Sequence, residues 1–113
     1  MNQEMKIKWL EALRSGKYKQ AVSRLMLKDH RGQRYCCLGV LCEISGLGEW
    51  TEEPSYSNVH EFIYNRGHFA SNLPPAMREA LGISDDDIET LVNMNDLTKA
   101  SFTQIADWIE RNL

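Results

Sequence analysis

No run of apolar residues in this chain approaches the ~18 needed to cross a bilayer, so no membrane contact is expected. The opening residues Met1-Asn2-Gln3-Glu4-Met5-Lys6 lack the apolar core of a signal peptide. A cytoplasmic protein with reduced cysteines is therefore expected. There are three cysteines, and an odd number argues against a disulfide framework. Their C-C-x4-C spacing lacks the close pair of a zinc knuckle. Helix-turn-helix, zinc-finger and RNP signatures are absent. So are internal repeats, low-complexity tracts, interdomain linkers and the local signatures of thiol enzymes.

At 113 residues the chain is long enough for one domain, 1–113. Its 42% hydrophobic and 26% charged content is ordinary for a globular protein that needs no staples to hold a core. The net charge of −3 hides an uneven distribution. Residues 1–34 carry nine Lys/Arg against three Asp/Glu, and residues 35–113 carry four against thirteen. Either the two parts neutralise each other in the fold, or the basic third is a surface for an acidic partner or nucleic acid.

The most apolar stretch is Tyr35–Gly46, which also holds Cys36, Cys37 and Cys42. It reads as a short helix from about Cys37 to Ser45, stopped by Gly46 in the left-handed position. A helix apolar on nearly every side is buried on nearly every side. This one is the expected hub, packed against the N-terminal helix and the last helix. Gly39 in its interior costs ~1 kcal/mol relative to alanine. Close approach of another backbone, or of a ring such as Trp9 or Trp108, would offset that.

The flanking elements follow from local signals. Met5, Trp9 and Leu13 give Gln3–Ser15 a helical face, ended by Gly16. Lys17–Gln20 is a polar connection. Val22–Leu27 and Gln33–Cys36 read as the strands of a hairpin turned by Asp29-His30-Arg31-Gly32, with a continuing helix as the rival. Leu47–Asn72 is broken by Gly48, Pro54 and serines; Val59–Tyr64 suits a strand or one helical turn, and Asn65-Arg66-Gly67 a turn. Pro74-Pro75, Ser84 with Asp87, and Ser101 with Gln104 then open three helices. The fold expected is α+β: four to five helices with one or two small β-hairpins around a buried central helix.

The run C-C-L-G-V-L-C-E at Cys36–Glu43 stands with Trp9-Leu10-Glu11-Ala12-Leu13-Arg14-Ser15-Gly16 before it and Leu73-Pro74 after it. Asn95-Asp96 and Ser101-Phe102-Thr103-Gln104-Ile105-Ala106 close the set. This combination resembles a family of short bacteriophage and prophage proteins of unknown function, over nearly the whole chain. The resemblance implies a phage product in a bacterial host cytoplasm, and no mechanism. Lys99-Ala100 stands where that family often carries a glycine.

Candidate chemistry is sparse. On a helix Cys37 and Cys42 point about 140° apart, at 100° per residue, so they do not chelate one ion; buried structural thiols are the better reading. A nucleophile at Cys36 or Cys37 would exploit the helix dipole to lower its pKa, with His60 or His68 as base and Asn58 or Asn72 to orient it. Asp85-Asp86-Asp87 and Glu89 read as ordinary helix-start electrostatics. Asn93–Gln104 lacks the acid, glycine and glutamate of a calcium loop. No metal or cofactor is expected. Lys17, Lys19, Arg24, Lys28, Arg31 and Arg34, interleaved with Tyr18 and Tyr35, form a basic segment. Lys28, His30, Arg31 and Arg34 at the hairpin are the candidate binding residues. The leading expectation is a non-enzymatic binding protein acting on a host or phage macromolecule. A nucleic-acid accessory protein and a thiol-dependent enzyme are the alternatives.

Overall fold

The computed structural model describes residues 1–113. The chain order is α1 (Gln3–Arg14), β1 (Lys19–Gln20), β2 (Met26–Asp29), β3 (Gly32–Tyr35), α2 (Cys37–Ser45), β4 (Glu49–Trp50), β5 (Val59–His60), β6 (Phe62–Tyr64), β7 (Gly67–Phe69), α3 (Pro75–Leu81), α4 (Asp85–Asp96) and α5 (Phe102–Asn112). The expected α+β class, with five helices and two hairpins, is what the chain forms. One sheet has the order β1-β3-β2-β5 and the other β4-β6-β7. No helix is long and apolar enough to cross a membrane.

The predicted hub is buried from Cys37 to Cys42, while its last turn, with Glu43 exposed and Ile44 half-buried, reaches the surface. Gly46 ends it at φ 69°, the left-handed turn the sequence signalled. The core is one cluster of 23 buried residues. Leu25, Leu38 and Leu41 within it each contribute ~1.5–3 kcal/mol by leaving water. Helix α2 packs on α1 and α4, whereas α5 packs chiefly on α1. Ile105, Ala106 and Ile109 of α5 belong to the same core cluster as the hub residues Leu38 and Leu41.

The element boundaries are fixed by caps. Asn2 Oδ1 accepts from Met5 N at 2.9 Å, Ser84 Oγ from Asp87 N at 3.1 Å, and Ser101 forms a full capping box with Gln104. Pro75 opens α3 at the first turn. In the turn before α5, Lys99 takes φ 53°, the left-handed conformation a glycine would hold without strain.

The hairpin exists, but its first strand begins at Met26, four residues later than the start expected at Val22. Met26 pairs with Tyr35 and Asp29 with Gly32. Val22–Leu25 instead runs as an irregular link. Ser23 adopts φ 66°, and its N–H donates to Asp96 Oδ1 at 2.9 Å. Leu25 N donates to Ala70 O, and Cys36 N to Arg24 O. Those main-chain partners come from distant residues, which periodicity does not report. Lys17–Gln20, expected as a plain connection, contributes β1, parallel to β3 with Lys19 opposite Arg34 and Gln20 opposite Tyr35.

The region from Leu47 to Asn72 resolves into β4–β7. Its second hairpin places Phe62 opposite Phe69 and Tyr64 opposite Gly67. Asn65 and Arg66 form the two-residue loop, both with positive φ, as the strand twist requires.

Candidate functional site

Asn95 ties the basic segment to the hub. It is 2% exposed. Its Oδ1 accepts from Gln20 Nε2 at 2.8 Å and Cys37 N at 3.1 Å. Its Nδ2 donates to Ala21 O and to Asp96 Oδ1, both at 2.8 Å. All the hydrogen-bonding capacity drawn on here is met inside the protein, so this amide is structural: it fixes β1 and one otherwise free N–H of α2 against α4. The Asn95-Asp96 pair was visible in the sequence, but its partners lie more than fifty residues away.

The structure does not bring the four candidate binding residues onto one surface. Successive strand residues face opposite sides. Lys28 therefore shares a side with its partner Gln33, while Arg34 lies on the other with Leu27. Asp29 Oδ2 lies 3.1 Å from Arg34 Nη2 and 3.6 Å from Arg31 Nη2. Its Oδ1 accepts from Arg31 N at 2.8 Å, which lowers the carboxyl's pKa, helped by the charges of Arg31 and Arg34. Arg34 is thereby committed to holding the hairpin, and His30 sits exposed at its turn. Of the four, Arg31 alone reaches the cleft described next.

That cleft has a volume of about 280 Å³ and is lined by Lys17, Tyr18, Lys19, Arg31, Gly32, Gln33, Tyr35 and Glu43. Pairing of β1 with β3 builds it, carrying Lys17 and Lys19 to the hairpin's Arg31. Lys17 and Lys19 have no carboxylate partner. The Arg31 side chain is 68% exposed despite its long contact to Asp29. Tyr18 and Tyr35 meet edge to face, with ring centroids 5.6 Å apart, and Lys17 Nζ lies 5.6 Å from the Tyr18 centroid. Tyr35 is buried and donates to Gln33 Oε1 at 3.1 Å. Burial, with Glu43 and Tyr18 nearby, pushes its hydroxyl up to about 12, so it stays a neutral donor. Glu43 Oε2 accepts from Trp50 Nε1 at 2.6 Å, which anchors the wall carboxylate. The sequence showed these cations interleaved with tyrosines; the β1–β3 pairing that collects Lys17, Lys19 and Arg31 is a non-local event.

The thiols lie elsewhere. Cys36 caps α2, its Sγ accepting from Gly39 N at 3.4 Å, and Cys37 Sγ contacts Leu91 O at 3.8 Å. The helix-start dipole was expected to lower a thiol pKa. Burial overrides it and pushes Cys36 up to about 11, and Cys37 and Cys42 further above their ordinary value. His60 Nδ1 lies 2.8 Å from Thr51 O, and His68 Nδ1 lies 3.5 Å from Glu61 Oε1. Neither histidine hydrogen-bonds a thiol. No group of three or more His, Cys, Asp or Glu residues is gathered to hold a metal ion.

The model of a family described as a domain of unknown function, DUF8296, matches residues 1–113. The chain belongs to that family. Neither a curated protein nor a solved structure matches it. In this DUF8296 member the cleft gathers two exposed lysines without carboxylate partners beside Arg31.

Proposed function

We propose that this is a non-enzymatic binding protein that modulates a host or phage macromolecule by gripping an anionic feature of it in the basic cleft. The phage resemblance sets the scene in a bacterial cytoplasm. The observation that carries the reading is the pair Lys17 and Lys19, held beside Arg31 with no carboxylate partner of their own. Cations whose attraction the fold leaves unused are available to a partner, and they steer its approach as well as hold it. The half-buried Tyr18 ring, braced edge to face by Tyr35, supplies contact area beside them at low entropic cost.

A second reading, nucleic-acid binding, is favoured by the same cation and ring arrangement, because bases stack on aromatic faces. Affinity capture from bacterial host lysate tests both. Beads bearing the wild-type chain should retain a partner that elutes as salt shortens the screening length to ~3 Å at 1 M. K17Q/K19Q/R31Q beads, with an unchanged circular dichroism spectrum, should not retain it. Retention of the same partner by the variant sinks the reading, and nuclease-sensitive retention turns it to nucleic acid.

A further inference from the structure

We infer that the cleft of Lys17, Lys19 and Arg31 takes a single carboxylate of an extended polypeptide, with the neighbouring peptide N–H of that ligand donating to Glu43. The inference rests on the binding reading above and names the chemistry of the partner.

Three features select a polypeptide carboxylate over a nucleic-acid backbone. The first is size. A cleft of about 280 Å³ admits one anionic group and its immediate neighbours, below the ~300–1,000 Å³ of drug-sized sites. The second is Glu43. A wall carboxylate repels a ligand carboxylate and a phosphate alike, but a peptide also brings an N–H for it to accept, which a phosphate backbone lacks. Trp50 Nε1 occupies Glu43 Oε2 and fixes the group's orientation. Glu43 Oε1 takes no hydrogen bond from the protein, and the residue is exposed, so a ligand N–H can reach this oxygen and donate to it. The third is balance. Three cations against one wall carboxylate leave an excess positive charge at the cleft. One ligand carboxylate reduces that excess, while a string of phosphates would overshoot it and fall outside the reach of the cations. Tyr35 donates to Gln33 Oε1 at 3.1 Å, so the Tyr35 hydroxyl makes no competing demand on the ligand.

The carboxylate comes from an Asp or Glu side chain or from a chain terminus, and the test separates the two. The ¹⁵N-labelled full chain is titrated in an NMR experiment with four probes. They are acetyl-Gly-Glu-Gly-Glu-Gly-amide, its Gln counterpart, acetyl-Gly-Gly-Gly with a free carboxyl end, and a short oligothymidylate. Amide shifts confined to Lys17–Gln20 and Arg31–Tyr35 with the glutamate peptide, and absent with the glutamine one, assign the side-chain source. The same shifts with the free-ended peptide assign the terminus. K17Q/K19Q should weaken either by about fivefold or more, since each exposed ion pair contributes modestly. E43Q separates the chemistries. It relieves repulsion of either anion but costs only the peptide a charged acceptor for its N–H, so it should raise oligothymidylate affinity more than peptide affinity. Equal shifts with the glutamine peptide overturn the inference, as do tighter binding of oligothymidylate than of either peptide or a gain in peptide affinity on E43Q that matches or exceeds the gain for oligothymidylate. If a cleft-dependent lysate partner is still captured when the peptides fail, the binding reading stands and only its chemistry is wrong.

Discussion

Gly39 shows how one residue couples two elements. A Cβ built there would fall 1.8 Å from the Leu25 carbonyl oxygen and 2.7 Å from its carbon. The expected close approach is real, and it is made by the backbone of Leu25. Trp9 takes a different role, donating its indole N–H to Cys37 O at 3.0 Å. Backbone cannot swing aside as a side chain does, so relief requires the link Val22–Leu25 to leave the hub. Leu25 is fully buried and its N–H is bonded to Ala70 O, which makes that movement costly. Gly39→Ala should therefore destabilise the fold by about 3 kcal/mol or more, at or beyond the upper end for overpacked cores, although alanine is the better helix former by ~1 kcal/mol. Urea unfolding followed by tryptophan fluorescence reads this directly. A midpoint equal to wild type would show that the link gives way freely.

At the scale of the element, α2 begins with thiols whose protonation is set by burial. An ordinary cysteine releases its proton at 9.0, and the folded chain holds that of Cys36 until about 11. Below pH 9 both folded and unfolded chains are protonated and the stability from this group is fully present. Between 9 and 11 the unfolded chain ionises first, so stability falls, on the order of 3 kcal/mol from Cys36. Cys37 and Cys42, raised for the same reason, add to the loss. Urea midpoints should hold steady to about pH 9 and then drop, and C36A should flatten that drop. Iodoacetamide at pH 8 should label the native thiols slowly and the denatured ones fast. Rapid native labelling near neutral pH would mean that α2 opens or that a thiol ionises early.

Across the whole molecule the charge imbalance is neutralised at one place and left open at another. Arg14 of α1 meets Asp107 at 2.9 Å and Glu110 at 3.0 Å on α5, and Lys6 Nζ donates to Glu110 O at 3.2 Å. The basic third and the acidic remainder thus meet along the α1–α5 contact. Arg31 and Arg34 pair with Asp29, inside the basic third, and Lys17 and Lys19 pair with no carboxylate. R14Q should lower the melting temperature at low salt, and the deficit should shrink at ~1 M salt, where screening acts within ~3 Å. K17Q/K19Q should leave the melting temperature close to wild type. A large, salt-independent loss in R14Q would show that the Arg14 stem packs more than its charge pairs.

The sequence by itself determined the helices, the hub and its burial, because caps, glycine stops and apolar spacing act within a few residues of one another. Ser101 with Gln104, Pro75, and the run Cys37–Cys42 before Gly46 all formed as their local chemistry dictates. It also marked the hairpin turn at Asp29–Gly32 and the basic segment around it. Only the tertiary structure decided where the hairpin starts, which backbone presses on Gly39, and which cations share a surface. Each of those depends on pairing between distant parts of the chain. Asn95 and Asp96 hold Gln20–Ser23, Leu25 lies against Gly39, and β1 lies along β3. The thiols show the same division of labour. Position at a helix start is legible in sequence and argues for a low pKa, but desolvation is a property of the packed core, and here it is the larger effect.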